Sequence, residues 1–417
     1  MAVSDYLVLI YSPDCTTILI DPIGPASYEV QRSADGPVPF YRSNVPGWRS
    51  INLGPRYNEA GSGTIVVNTT LELFQAVTTP EVRIAVIREP LGQPAVIEMA
   101  GPLENASADR DAATDGTDGL GTITIQFTDD LASLATRLVY PNPAQPAAGQ
   151  SVTKRSYAGV NAEEAARDLV QRDAGPGALT GRRFPEIALG VDNNVGASVT
   201  TSFTRAIVLT DALRSLLLLG GGLGMRTTQV GEQALFEVYQ PRDLSASVWF
   251  AWDLGNIRTL NFEFAAPTAT VAIVGDEEAG VARIVRERTN ADALAAGWRR
   301  KEIFVDARSA ANITEVEQLG DEALADTGPT VRVNIQAIET AQQRYRRDFG
   351  IGDTVSVEIF DGFVITDIIR GVDITVSPDR GEVITPLIGA AGDQEIDLKA
   401  QEIERLKKRL AQLEGAL

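Results

Sequence analysis

The sequence contains no histidine, which excludes Ser-His-Asp and Cys-His catalysis, His-ligated zinc and the usual neutral-pH proton shuttle. It has a single cysteine, Cys15, so neither an internal disulfide nor a thiolate metal cluster can form, and stability has to come from packing or assembly. Cys15 itself reads as a small half-buried residue near a turn. Aromatic residues are sparse at 6%, and Trp48, Trp249, Trp252 and Trp298 are dispersed. No carbohydrate platform is visible, and core or interface anchoring is expected of each. Basic residues are in deficit, with 37 Lys+Arg against 56 Asp+Glu and a net charge of −19. Such a chain repels nucleic acid and anionic lipid, because sequence-independent binding rests on neutralising phosphates. The most apolar stretch, 206–219, is interrupted by Thr210, Asp211, Arg214 and Ser215 and is shorter than the ~20 residues of a bilayer crossing. Residues 1–11 carry an early acid, Asp5, with no basic leader and no small-residue cleavage site, so a soluble chain made in the cytosol is expected.

What is present suits a globular protein. The 417 residues are 44% hydrophobic and 22% charged, enough apolar material for two to four domains of ~100–200 residues. Residues 1–140 read as short β-branched strands at 6–11, 17–20, 27–31, 63–68, 82–87, 95–99 and 122–127, separated by Pro, Gly and Asp turns, the pattern of a sandwich or barrel. Ile123, Ile125 and Phe127 alternate with polar neighbours and should face a core. The Pro-rich 141–154 segment reads as a linker. An α/β insert follows over 155–265: Asn161 with Glu164 forms a capping-box pattern opening a helix to about Arg172, a second helix runs from about Thr210 to Leu219, and Gly231-Glu232 turns a hairpin. A second β-rich domain with one helix, 312–325, fills 266–390. The expected class is mainly β with an α/β insert.

From Asp393 the pattern changes. Ile396, Ile403, Leu410 and Leu417 recur every seven residues, with Lys399, Leu406 and Leu413 three further on, which fills the a and d positions of a heptad over 393–417. Glu402 with Lys407, and Arg409 with Glu414, place opposite charges at g and following e positions, as a parallel coiled coil favours. The 409–414 stretch resembles a short trimer-favouring motif in which an Arg pairs with a Glu five residues on. The a/d choice alone fits two or three strands, and Lys399 weakens the first heptad. A solvated amphipathic helix packed on its own body is the competing reading.

Other features weigh toward structure. Gly220 to Gly224 follows a helix instead of opening one, so it reads as a C-cap and turn, because helix C-termini carry the wrong sign for phosphate. Asp109, Asp111, Asp115 and Asp118 offer oxygen ligands for Ca²⁺ in a Gly-rich loop, but their spacing misses the EF-hand and a solvated acidic loop is expected. Glu277, Glu278 and Asp367 form a conceivable glycosidase carboxylate pair, of a kind expected by coincidence among 56 acids. The basic runs 299–301 and 344–347 are expected to pair with acids within or between subunits. Neither a cofactor nor a catalytic or metal site is expected.

Between about 200 and 390 an ordered series of short motifs occurs: 202–205 (Ser-Phe-Thr-Arg), 211–213 (Asp-Ala-Leu), 222–226 (Gly-Leu-Gly-Met-Arg), 236–243 (Phe-Glu-Val-Tyr-Gln-Pro-Arg-Asp), 254–256 (Leu-Gly-Asn), 273–275 (Ile-Val-Gly), 300–308 (Arg-Lys-Glu-Ile-Phe-Val-Asp-Ala-Arg) and 352–355 (Gly-Asp-Thr-Val). Taken together they resemble the siphovirus ReqiPepy-type "gene product thirty-seven-like" tail proteins. The resemblance implies a baseplate or tail-tip hub: a non-enzymatic virion protein with two β-barrel-like tube domains per subunit. It further implies a trimeric ring that continues the tail tube, links it to tip or fibre proteins and passes DNA during ejection. A parallel three-stranded coil sits naturally on the axis of such a ring. An acidic channel wall lets duplex phosphate pass without adhesion. The alternatives are a cell-wall-degrading or receptor-binding tail-tip component and the hub of a phage-derived injection machine.

Overall fold

The computed structural model describes residues 5–11, 18–20, 32–33, 36–37, 48–69, 71–90, 94–109, 121–275, 285–307, 313–328, 330–337, 340, 342–360, 363–377 and 381–389. The described residues are mostly β, 48% strand and 18% helix. It divides into two units, Met1–Thr259 with Ile335–Leu387 and Leu260–Asn334 with Ile388–Leu417.

In the first unit an antiparallel path runs through strands Phe363–Ser377, Trp48–Gly54, Ser62–Asn68, Thr122–Thr128, Val96–Asp109, Arg83–Glu89, Asp5–Tyr11 and Ile18–Ile20. Alternation sets the register in its middle. Ile123, Ile125 and Phe127 are buried as expected and lie opposite Val67, Ile65 and Gly63. A Cβ on Gly63 would sit 2.2 Å from the Phe127 ring, so glycine makes room for the larger side chain. The Arg83–Glu89 strand is buried on both faces and reads as a near-continuous core run.

The sheet differs from the barrels expected at the two ends, and no closed barrel forms among the described residues. A 14-residue strand, Val96–Asp109, joins the two halves of the path. Its first half pairs with Arg83–Glu89 and its second with Thr122–Thr128, with register shifts at 86/87 and 103/105. Such irregularities bend the strand between its two partners. At the bend, a Cβ on Gly101 would lie 2.1 Å from the Thr128 carbonyl oxygen, so only a glycine lets the backbones approach. Strands from both ends of the chain also share this sheet, because Phe363–Ser377 pairs with Trp48–Gly54.

The α/β part of the same unit pairs Lys154–Asn161 with Ser198–Thr204, and places Gln233–Tyr239 between antiparallel Gly224–Val230 and parallel Ile187–Leu189. Helices Ala162–Asp173 and Leu209–Leu219 bury Ala165, Ala166, Leu169, Ala212, Leu213 and Leu216 in one core, which Leu131, Leu134 and Val139 join. Asn161 caps the first helix by accepting from the backbone N–H groups of Glu163 and Glu164. The fully buried Glu163 carboxylate is spent on Asn193 N–H (3.0 Å) and Val195 N–H (2.8 Å). Within 141–150, Gln150 ties the Pro-rich turn together, accepting from Asn142 N–H at 2.8 Å and donating to the Asn142 carbonyl at 2.8 Å.

In the second unit Val271–Gly275 lies between antiparallel Val285–Thr289 and parallel Glu302–Asp306. Helix Ile313–Asp326 packs on one face through Val316 and Leu324 against Ala272 and Val274. A Cβ on Gly320 would fall 2.7 Å from Val274, so helix and sheet meet closely there.

Candidate functional site

The densest chemistry among the described residues is a buried charge network in the first unit. Strand Arg83–Glu89 carries Arg88 inward and the neighbouring Val96–Asp109 strand carries Glu98, each almost fully buried. Buried charges must be paired and hydrogen-bonded or they cost several kcal/mol. Glu98 accepts from the Tyr345 hydroxyl at 2.9 Å and from Arg346 Nε and Nη2 at 3.1 and 2.9 Å, a forked contact. Arg88 Nε donates to Glu382 at 2.6 Å, Tyr6 donates its hydroxyl to the same carboxylate, and Arg88 Nη1 stands 3.9 Å from Glu98. Burial raises the Tyr345 hydroxyl above the ordinary tyrosine value, and the Glu98 charge adds to it. Arg346 sits at φ +70°, a left-handed conformation, so the forked contact holds a strained backbone in place.

Beside this network lies a cleft of about 670 Å³, bordered by Arg56, Glu98, Asp129, Arg226, Arg242 and Arg346. Each of the four arginines is engaged with an acid: Arg56 with Asp373 (2.6 Å), Arg226 with Glu237 (2.8 Å), Arg242 with Asp353 and Arg346 with Glu98. The cleft is therefore a mesh of ion pairs, which rigidifies the fold more readily than it binds a phosphate. Among the described residues no group of three or more His, Cys, Asp or Glu side chains is placed to hold a metal ion.

A second joint lies nearby. The Gly220 to Gly224 segment is a C-cap and turn, with Gly221 and Gly222 at φ +103° and +72°. Tyr57 donates its hydroxyl to the Gly222 carbonyl at 2.9 Å, while the Asn58 carboxamide donates to the Leu223 carbonyl and accepts from Met225 N–H. A loop of the large sheet thus clasps the α/β part through backbone groups.

Asp129 caps helix Asp130–Ala135 and accepts from Gly61 N–H at 2.7 Å. Burial pushes its carboxyl up to about 7 against those hydrogen bonds, and the adjacent Asp130 charge adds to the rise. An unfolded aspartate titrates near ~3.9, so between these values the native state holds more protons than the unfolded one, and stability falls as pH rises. Asp129→Asn removes this contribution. Between pH 5 and pH 8 the wild type is expected to lose about 2 kcal/mol more than the variant, measured by urea denaturation at each pH.

The heptad residues Ile396, Ile403, Leu406, Leu410, Leu413 and Leu417, with the charges Glu402, Lys407, Arg409 and Glu414, lie outside the described residues. So do Cys15, Asp111, Asp115, Asp118, Glu277 and Glu278, while Asp109 ends its strand. The basic runs pair with acids within the chain: Arg346 with Glu98, Arg347 with Asp348, and Arg300 with Glu287 and Glu302. Trp298 stacks on Phe264 at 5.9 Å, whereas Trp249 and Trp252 are exposed. The Glu98 network escapes sequence reading because its hydrogen-bonded partners stand about 250 to 380 positions apart, leaving no local spacing to detect.

A sequence model of the family described as Siphovirus ReqiPepy6 Gp37-like protein matches residues 40–390. Among solved structures, the chain is similar to the 43 kDa tail protein of prophage MuSo2 from Shewanella oneidensis, at 12% identity over 82% of this chain and 93% of that one, with a TM-score of 0.51. It is also similar to the tail protein from Neisseria meningitidis MC58, at 14% identity over 93% of this chain and 97% of that one, with a TM-score of 0.53. At these identities the likeness is one of fold. No protein in the curated set matches.

Proposed function

We propose, from the premise that this chain belongs to the Siphovirus ReqiPepy6 Gp37-like protein family, that it is a structural hub of a phage tail: a homotrimeric ring that continues the tail tube, links it to tip or fibre proteins and passes DNA at ejection. The observation that carries the reading is the family match over 40–390, supported by a fold shared with two tail proteins across most of each chain. A ring assembled from rigid walls suits a fold whose buried charges are spent on one another. The heptads of 393–417 supply a parallel three-stranded coil on the ring axis. Acids then face the lumen, where a chain of net charge −19 repels duplex phosphate and keeps the passage from gripping its cargo.

The hub is assembly machinery and carries no reaction. The absence of histidine from the sequence and the pairing of the cleft arginines both support that reading. Sedimentation of the purified chain is expected to give three chain masses, with no turnover of peptidoglycan. A monomer that cleaves peptidoglycan would overturn the proposal in favour of a lytic tail-tip component.

A further inference from the structure

Three segments of the unit formed by Met1–Thr259 and Ile335–Leu387 contain no Asp or Glu, in a chain that has 56 of them: 131–162, 174–185 and 193–210. Each carries basic side chains, and the fold brings these together. Lys154 lies opposite Thr204 where Lys154–Asn161 pairs with Ser198–Thr204, and Leu138 bridges Val208. Main-chain carbonyls then tie the arginines into one set. Arg137 Nε donates to the Arg182 carbonyl at 2.9 Å, Arg182 Nη2 to the Gln145 carbonyl at 2.6 Å, and Arg205 Nη2 to the Gln150 and Val152 carbonyls at 2.9 and 3.2 Å. Gln150 joins the last two by donating its amide to the Gln145 carbonyl at 3.0 Å.

Carbonyls satisfy hydrogen bonds without cancelling charge. Among the described residues Arg137, Lys154, Arg182, Arg183 and Arg205 form no ion pair. The two acids whose charge reaches the set are engaged elsewhere: buried Asp173 pairs with Arg155 at 2.7 Å, and Glu186 stands 3.7 Å from Arg83. Burial lowers the Arg137 guanidinium below its ordinary value, which Glu186 only partly offsets. Two of the forks are held flat by stacking, Arg182 at 3.4 Å from the Tyr140 ring centroid and Arg137 at 3.7 Å from that of Phe184. Lys154, Arg183 and Arg205 are exposed, and so are the uncharged 144–149 turn and the apolar Leu138 and Val152.

We propose that this surface docks a carboxylate-rich face of a different tail protein, an inference that rests on the hub proposed above. Charge complementarity selects an anionic occupant: the five cations lack acids of their own, and the planar forks accept carboxylates two oxygens at a time. The rest of the surface selects protein over nucleic acid. Four of the five cations are arginines, the bias of protein interfaces, where Arg is enriched and Lys depleted. Leu138, Val152 and the Pro146-Ala147-Ala148 turn lie among them, apolar area that a protein face covers and a row of phosphates leaves wet.

Carbodiimide treatment of isolated tails tests this. The reagent takes up the water released when a lysine amine and a touching carboxylate condense to an amide. Mass spectrometry is expected to find Lys154 joined to an Asp or Glu of a different polypeptide. Arg137→Gln, Arg182→Gln and Arg205→Gln together are expected to cut that yield about 10-fold or more, since close charge pairs across an interface are strongly coupled. Arg300→Gln removes a charge already paired with Glu287 and Glu302 and is expected to leave the yield unchanged. The wild-type adduct decides the matter even if the triple variant misfolds. Tails that contain the chain but give no Lys154 adduct, or one confined to copies of this chain, overturn this surface and leave the hub standing. Ultraviolet cross-linking of 131–162 to DNA in those tails assigns the surface to nucleic acid and overturns it as well. Tails that lack the chain overturn the hub and this surface together.

Discussion

Glu98→Leu is expected to lower the free energy of unfolding by about 3–5 kcal/mol, the usual result of removing one partner from a buried ion pair. The substitution removes the forked acceptor of the Arg346 guanidinium and the Glu98 oxygen that accepts from the Tyr345 hydroxyl, and it turns the Arg88 charge toward an apolar side chain. Glu98→Gln keeps an acceptor for Tyr345 while losing the charge, and falls between. Urea denaturation reads both: the midpoint drops while the slope stays near that of the wild type. Pairing Glu98→Leu with Arg346→Met is expected to recover much of the loss, because replacing both members of a buried pair by apolar residues removes the uncompensated charge. A cost below about 1 kcal/mol for Glu98→Leu would show that the network contributes no more than a surface pair does.

Replacing Leu406 and Leu410 together by aspartate is expected to convert the proposed three-chain particle into single chains at micromolar concentration. Both positions lie on the predicted seam, and each buried leucine contributes about 1.5–3 kcal/mol per chain that a carboxylate cannot supply. The body is expected to keep its thermal unfolding transition, because the core clusters of the described residues are built without the substituted leucines. Arg409→Glu sets a like charge against Glu414 and is expected to weaken the assembly by far less, about 0.5 kcal/mol per pair. Sedimentation separates the two outcomes. A double variant that keeps the wild-type mass would place trimer formation entirely in the body.

Local patterns carried well into the structure where one short segment contains its own reason. Thr122–Thr128 alternates because one face is buried, Asn161 caps because the first helical N–H groups need an acceptor, and Gly220 follows the last leucine of its helix. Reading failed where tertiary contact overrides local chemistry. The Gly101-Pro102 step marks a strand end on sequence grounds, yet Val96–Asp109 continues through it because the glycine admits the Thr128 backbone. Phe363–Ser377 likewise runs unbroken through Gly371, which lies against Pro55 and Arg56. The Trp48–Gly54 strand was illegible because Arg49, Ser50, Asn52 and Gly54 dilute its β-branched content; it forms because it is hydrogen-bonded on both sides. The basic run at 344–347 pairs with acids as an acidic chain implies, but nothing local identifies Glu98 as the partner of Arg346.

Cryo-electron microscopy of a phage tail containing this chain shows whether the ring exists. Three copies are expected around the tail axis, their walls continuous with the tube, acidic side chains toward an open lumen and the 393–417 segments meeting on the axis. Copies lying singly on the periphery, or a central passage lined by basic residues, would contradict it.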